Sequence, residues 1–375
     1  MRTGKALIVV TLLGGCSFQP QGADNRIDGG PVDSSIDGAD TDAEPPSAVA
    51  KRRPITLLGA RIASNVDDFP VWLELTGGDV PAARVDGQDL YFTDSAGLAI
   101  PYEIRSWSQG TRLQAWVKVA RLNQGADTTI FVRYGVVSGV PAPSPTAVFD
   151  NAFAAVWHMD DTLQTPTVID ATGTHPGTAT AGLGQADSIA GKLGGGIDFD
   201  GDLNAVTFTN PYTGNQAHTI SAWVFQRDHL GFDAVVVVGT PMQHRSRFLY
   251  TNYSSDHIGA GFFANDVTDA GININNAGWT LLHWVFEGSN RTSRIYRNGI
   301  RIHDDTFQPG IATQGTDGYL GWSPTGWGGD NGLNGTLDEI RLATAARDDG
   351  WIATEFANQN APSDFYLVGA EELVP

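Results

Sequence analysis

The stretch Asn334-Gly-Thr-Leu-Asp-Glu-Ile-Arg341, continued by Leu342, alternates its side chains with the period of two that is typical of a β-strand. This alternation places Asp338 on the face shared by Ile340 and Leu342, and Leu337 on the opposite face. If Ile340 and Leu342 face a core, the carboxylate of Asp338 also points inward. A buried carboxylate is costly unless it is paired, hydrogen-bonded or bound to a metal. The pattern therefore predicts a specific partner for Asp338.

Similar alternating segments recur from about residue 54 onward, separated at intervals of about ten residues by breaks rich in Gly, Asn and Asp. The clearest are Val71–Leu75, Ala115–Val119, Thr129–Tyr134, Thr219–Phe225 and the apolar run Ala234–Val238. Their spacing predicts an all-β chain of antiparallel sandwiches. One short helix is predicted over residues 348–358, with Ile352 and Phe356 on its buried face.

The segment 294–302 predicts a hairpin, because Asn298-Gly299 readily takes the positive φ angles of a two-residue type I′ turn. A two-residue turn places Tyr296 opposite Arg301 and Ile295 opposite Ile302.

The N-terminus combines Arg2 and Lys5 with the apolar run 6–13 and the box Leu13-Gly-Gly-Cys16. The run is too short for a transmembrane helix, which needs roughly 20 apolar residues. The pattern resembles a bacterial lipoprotein signal, with residues 1–15 as the signal peptide. That resemblance implies a lipid on Cys16 and, since Ser17 follows, anchoring to the outer membrane where the host has one. The alternative is an ordinary secretory signal with an incidental cysteine.

Residues 16–53 form a predicted disordered, acidic linker. Seven carboxylates stand against Arg26 between residues 16 and 50, and large apolar residues are almost absent. The aspartates lack the spacing of a calcium loop. The net charge of the whole chain, −19, argues against nucleic acid and anionic lipid as partners, because both would be repelled.

Residues 54–145 end in the proline-rich seam Pro141–Pro145, a plausible domain boundary. The segments that carry a resemblance are 89–94, 100–104, Trp107, 116–119 and 128–135. Together they resemble the bacterial domain of unknown function 2341. The resemblance implies a small antiparallel β-sandwich module without known chemistry.

Residues 147–375 carry a series of landmarks in order: 156–161, 170–177, 194–201, 220–224, Trp279, 296–299, 334–341 and 351–359. They resemble the laminin-G-like, concanavalin A-like jelly-roll family. The resemblance implies a structural Ca²⁺ at Asp338, with Asp160 or Asp161 as a second carboxylate. The alternative is that Asp338 caps backbone amides or pairs with an arginine.

The segment 321–332 is a loop by composition. Trp322 and Trp327 offer flat apolar rings to sugar C–H faces, and Asp330 and Asn331 can hydrogen-bond sugar hydroxyls. These four residues are the predicted ligand site. The alternative is that Trp327 folds back onto the sandwich.

Catalytic motifs are mostly missing from the sequence, including the two-carboxylate strand of β-glucan hydrolases, His-Glu-x-x-His and Gly-x-Ser-x-Gly. We therefore expect a non-enzymatic, membrane-anchored envelope protein that recognises a glycan or a cell-surface protein through its jelly roll. Two alternatives stay open: a structural lipoprotein or protein-partner subunit, and a divergent hydrolase. The hydrolase would require a cleft with two carboxylates about 5–10 Å apart.

Overall fold

The computed structural model describes residues 49–136, 138–227, 231–251, 257–269, 272–324 and 332–374. The predicted signal peptide, Cys16 and the linker up to residue 48 lie outside the described residues. Over the described ranges the chain consists mostly of strands in antiparallel sheets, which confirms the predicted all-β class. No helix in these ranges has both the length and the apolar character needed to span a membrane.

The first sandwich packs a five-stranded sheet against a three-stranded sheet around one apolar core. The five-stranded sheet contains β1 (Lys51–Leu57), β3 (Tyr91–Thr93), β6 (Thr128–Tyr134), β23 (Tyr366–Val368) and β24 (Glu372–Leu373). The three-stranded sheet contains β2 (Val66–Thr76), β4 (Tyr102–Ser108) and β5 (Arg112–Leu122). Ile130, Val132 and Tyr134 are all buried in the core, as the alternation in β6 predicts.

The last strands of the described chain pair with its first strand. Strands β23 and β24 both pair with β1, with Ile55 opposite Val368 and Arg52 opposite Glu372. Strand β1 also starts three residues before the predicted module, at Lys51, which pairs with Tyr134. The five-stranded sheet is therefore completed by residues that follow the jelly roll in sequence.

The jelly roll consists of two eight-stranded sheets, which we call the back sheet and the front sheet. The back sheet contains β7 (Phe153–Trp157), β10 (Ser188–Ala190), β11 (Gly195–Asp200), β13 (His218–Gln226), β18 (Thr280–Phe286), β19 (Thr292–Arg297), β20 (Ile300–Thr306) and β22 (Asn334–Ala343). The front sheet contains β8 (Thr167–Val168), β9 (Gly177–Ala179), β12 (Val206–Thr209), β14 (Asp233–Gly239), β15 (Ser246–Thr251), β16 (Ile258–Phe262), β17 (Asn265–Asp269) and β21 (Asp317–Leu320). The larger of the apolar cores lies between these two sheets.

The hairpin of β19 and β20 differs in part from its prediction. Asn298 and Gly299 have φ angles of 51° and 76°, as a type I′ turn requires, and Tyr296 lies opposite Arg301 as expected. The predicted pairing of Ile295 with Ile302 is wrong, because a β-bulge shifts the register and places Ile295 opposite His303.

The described residues contain three α-helices: α1 (Pro145–Val148), α2 (Asp349–Asn360) and α3 (Pro362–Phe365). Helix α2 confirms the predicted helix, and the side chain of Asp348 caps it by accepting a bond of 2.7 Å from the Trp351 amide. The helix also covers the free edge of β2. There Asn358 Oδ1 accepts from the Trp72 N–H at 2.7 Å and its Nδ2 donates to the Trp72 carbonyl at 3.0 Å. The Asn358 side chain thus makes the two hydrogen bonds that a neighbouring strand would otherwise make with the Trp72 backbone.

Replacing Asn358 by Ala should lower the free energy of unfolding by roughly 2 kcal/mol or more, because it leaves a buried N–H and C=O of Trp72 without partners. Urea unfolding measures the change. Asn360→Ala, in the last turn of the same helix but exposed, is the matched control and should cost well under half as much. Equal losses for the two variants would contradict the edge-capping role of Asn358.

Candidate functional site

Strand β22 contains a β-bulge at the point where the predicted alternation fails. Glu339 has a φ of 48°, and the pairing with β13 shifts register between Ser221 and Trp223. Leu337, Ile340 and Leu342 consequently share the jelly-roll core, so the prediction that Asp338 lies on the face of Ile340 and Leu342 is wrong. The bulge adds one residue and reverses the alternation, which leaves Asp338 outside that core.

Glu339 belongs to a chain of buried and half-buried charges between the two sandwiches. His158 Nδ1 is 2.6 Å from Glu339 Oε1, and His158 Nε2 is 3.1 Å from Glu103 Oε2 on β4. All three side chains are at most 7% exposed. Histidine can donate from both nitrogens only when it is protonated, so the two carboxylates hold it as the cation.

The chain continues in both directions. Arg341 donates to Glu339 at 2.9 Å and to Glu355 on α2 at 3.0 Å. At the other end Arg105 pairs with both Glu103 and Asp160. We call the set Asp160, Arg105, Glu103, His158, Glu339, Arg341 and Glu355 the interface charge chain. Its members alternate in sign, which is the arrangement that offsets the desolvation cost of burying charges.

Aromatic rings surround the centre of the interface charge chain. The guanidinium carbon of Arg341 lies 4.3 Å from the ring centroid of Trp116, and the His158 ring stacks on the same indole at 6.2 Å. Phe149 packs against both His158 and Arg341. The first sandwich supplies Trp116, so the aromatic contacts and the ion pairs join the same two bodies.

The neighbouring charges determine the protonation states of His158 and Glu339. Burial alone lowers the pKa of His158, but the carboxylates of Glu339 and Glu103 outweigh it and raise that pKa to about 9. Burial raises the pKa of Glu339, yet His158 and Arg341 more than offset it and hold the pKa below its usual value. Glu103 and Glu339 bind the two sides of one histidine and are nearly inaccessible, so this carboxylate pair leaves no open position for a substrate.

The three predicted calcium ligands are bound by N–H donors in this arrangement. Asp338 Oδ2 accepts from the amides of Lys192 and Leu193 at 2.7 and 2.8 Å. Asp160 pairs with Arg105, and Asp161 accepts from the Ile169 amide at 3.1 Å. Among the described residues no three His, Cys, Asp or Glu side chains form a metal-binding group. The contacts thus favour amide capping of Asp338 through Oδ2. Asp338 Oδ1 is buried and has no hydrogen-bond partner among the described residues, and calcium binding stays a prediction from the resemblance.

The outward side of the front sheet carries a continuous row of paired residues. Pairing across neighbouring strands links Thr167, Thr178, Thr207, Tyr319, Val237, Phe248, Gly261 and Asp266. Val237 and Phe248 are buried in an aromatic cluster with Tyr250. The threonine end of the row is open to solvent, as is Asp266 at the opposite end.

We call Thr167, Thr178, Thr207 and Thr209 the threonine shelf. Thr167, Thr178 and Thr209 are exposed and Thr207 is half-buried. The Thr207 hydroxyl donates to the Thr178 carbonyl at 3.1 Å, and the Thr209 hydroxyl lies 2.8 Å from His175 Nδ1. The shelf presents several hydroxyl groups on a rigid ladder, with neighbouring strands about 4.8 Å apart.

An aromatic pair borders the threonine shelf. Tyr319 lies opposite Thr207 in the ladder, and the half-buried ring of Trp322 packs edge-on against it with centroids 5.3 Å apart. Burial and the nearby Asp317 carboxylate raise the pKa of Tyr319, so its phenol stays protonated at neutral pH. Trp322 is thus placed beside a polar shelf. The other predicted ligand residues, Trp327, Asp330 and Asn331, lie outside the described residues.

Sequence reasoning missed Tyr319 and the threonine shelf. The alternation Val206-Thr-Phe-Thr209 does carry a local signal, since it places both threonines opposite the core residues Val206 and Phe208. That pattern predicts the face of the sheet on which the two threonines lie, but it does not predict which strands pair with β12. Only the pairing of β9, β12 and β21, far apart in sequence, brings Thr178, Thr207 and Tyr319 together.

Comparison with known proteins agrees with this architecture. Residues 200–353 match the family model of the concanavalin A-like lectin/glucanases superfamily. The match supports the predicted laminin-G-like, concanavalin A-like domain over that stretch. No curated protein matches the chain in sequence.

Several solved structures are similar at low identity. One is domain 4 of AbnA, a GH43 extracellular arabinanase from Geobacillus stearothermophilus, in complex with arabinotriose (20% identity, 55% of this chain and 98% of that chain, TM-score 0.42). Another is Trypanosoma rangeli sialidase in complex with sialic acid (13%, 78% and 54%, TM-score 0.43), of which this chain spans about half. A third is the CBM40 of Ruminococcus gnavus IT-sialidase bound to α2,3 sialyllactose (14%, 38% and 83%, TM-score 0.33). At these TM-scores the likeness carries no information on the ligand of this chain.

The raised pKa of His158 predicts a pH dependence of stability. The folded value, about 9, lies above the ordinary 6.5, so the stabilisation is fully present below about pH 6.5 and is lost as the pH rises through 9. Urea unfolding should show a fall of about 3 kcal/mol across this window. The fall should be absent in His158→Gln. Where that variant is too unstable to measure, NMR titration of His158 in the native chain replaces it, and a value near 6.5 would contradict the prediction.

Because backbone amides already hold Asp338, we expect thermal unfolding of the full chain to give the same melting temperature with Ca²⁺ and with a chelator. Asp338→Asn is the companion variant, since it keeps the shape of the side chain and one acceptor oxygen. A calcium-dependent rise in melting temperature that this variant abolishes would favour the calcium site instead.

Proposed function

We propose that the chain is an envelope-anchored binding protein that recognises a glycan on the open half of its front sheet. The observation that carries the proposal is the placement of the Tyr319–Trp322 pair directly beside the threonine shelf. Sugars present both apolar C–H faces and hydroxyl groups, and this surface offers aromatic rings and hydroxyls within neighbouring strands. The superfamily match at residues 200–353 agrees with a binding role without deciding the ligand.

The geometry suits an extended ligand rather than a single small group. Thr167, Thr178, Thr207 and Tyr319 sit on four consecutive strands, so the row spans about 14 Å. The hydroxyls lie on paired backbone, and Thr207 is fixed by its bond to the Thr178 carbonyl. A surface that is ordered before binding costs less conformational entropy on association.

The position of the protein in the cell is a separate part of the proposal. It rests on the sequence alone: the signal-like residues 1–15, the only cysteine of the chain at position 16, and the acidic residues that follow it. On this proposal the chain is exported and a lipid on Cys16 tethers it to the cell envelope. Metabolic labelling with a lipid probe tests it, with Cys16→Ser as the control that should lose the label.

Replacing Trp322 by Ala should weaken binding on a glycan array by at least about tenfold, because one aromatic contact and the support of Tyr319 are lost together. Trp279→Ala is the matched control. Trp279 is also a half-buried tryptophan, but it lies just before β18 of the back sheet and packs on Phe225 of β13.

Both variants should retain the circular dichroism spectrum of the native chain. Equal binding by the Trp322 and Trp279 variants would overturn the site, and capture of a specific envelope protein without any glycan signal would favour the protein-partner alternative.

A further inference from the structure

We infer that the front sheet selects neutral glycans and rejects sialylated or uronic acid-bearing ones. The inference rests on the proposed function and adds the class of ligand. Its basis is the distribution of charge over the eight strands of the sheet and the loops that border the threonine shelf.

The front sheet holds one cationic residue, Arg247 on β15, and its side chain points into the core. Its Nε donates to Thr313 Oγ1 and its Nη1 to the Gln216 carbonyl, both at 2.8 Å. The guanidinium carbon lies 4.8 Å from the ring centroid of Tyr212. With 0% exposure, Arg247 cannot reach a ligand on the outward side.

Arg245 lies just before β15 and is the nearest arginine in sequence. Its Nη1 donates to the carbonyl of Ala312, at 3.2 Å, in the segment that leads into β21. Residues 228–230, 252–256, 270–271 and 325–331 lie outside the described residues, and their sequences contain no Lys or Arg. The strands themselves therefore supply no cation to the open face.

The charges that do lie on the outward face are negative. Asp317 is exposed, lies two residues before Tyr319 on β21, and pairs in the ladder with Thr209 of the threonine shelf. Asp266 ends the row on β17. A sugar carboxylate on the shelf would lose water, meet Asp317 and gain no charge-assisted hydrogen bond from an arginine or lysine. A neutral sugar avoids the desolvation of a charge and the repulsion from Asp317.

The test is a glycan array, probed with the full chain, on which each neutral oligosaccharide stands beside its sialylated or uronic acid-bearing counterpart. Binding is measured at about pH 8. Low salt, about 50 mM, preserves surface electrostatics. We expect neutral members to bind at least about tenfold more tightly than their acidic counterparts.

Asp317→Lys should raise binding of the acidic members by roughly fivefold or more while leaving neutral ones nearly unchanged. Asp304→Lys is the matched control: it makes the same change of charge at an exposed site on β20, in the back sheet.

Three outcomes are decisive in different ways. Preferred binding of acidic glycans would overturn this inference and leave the proposed function standing. Identical behaviour of the Asp317 and Asp304 variants would overturn the role of Asp317 in the selection. Absence of any glycan signal from a folded chain would overturn the proposed function itself.

Discussion

A protonated histidine held between two buried carboxylates joins the two sandwiches, and much of the architecture follows from that contact. Glu103 comes from the first sandwich, while His158 and Glu339 come from the jelly roll. Removing one member of a buried ion pair leaves an uncompensated charge, which is far more costly than never burying the pair. The two sandwiches therefore cannot separate without exposing these charged side chains to solvent or leaving them without partners. The bulge at Glu339 is part of the same constraint, because it turns that carboxylate toward His158.

This contact also covers part of one face of the jelly roll. Part of the outward side of the back sheet is covered by α2 and the first sandwich, where Tyr296 and Val285 join the core of the latter. The front sheet carries its aromatic cluster at one end and the threonine shelf at the other. The binding proposed above uses the threonine shelf, on the side of the jelly roll opposite to the first sandwich.

The accuracy of sequence reasoning followed the regularity of the strands. In β6 the alternation is unbroken and Ile130, Val132 and Tyr134 all face the core as predicted. Asp338 and the Ile295–Ile302 pair failed for one reason, since a β-bulge shifts the register in each case. A bulge with a non-glycine residue at positive φ, as at Glu339, leaves no local signature in the sequence. The row that contains Thr207 and Tyr319 depends on pairing between distant strands, so no short pattern encodes it.

The pairing of β23 and β24 with β1 has a consequence for biogenesis. A chain emerging from the ribosome or crossing a membrane presents β1 at the start and the two strands that complete its sheet at the very end of the described residues. The five-stranded sheet can be completed only after residues 366–373 have been made. By then all strands of the jelly roll have already been synthesised. Until then β1 exposes an unpaired edge that can pair with other chains.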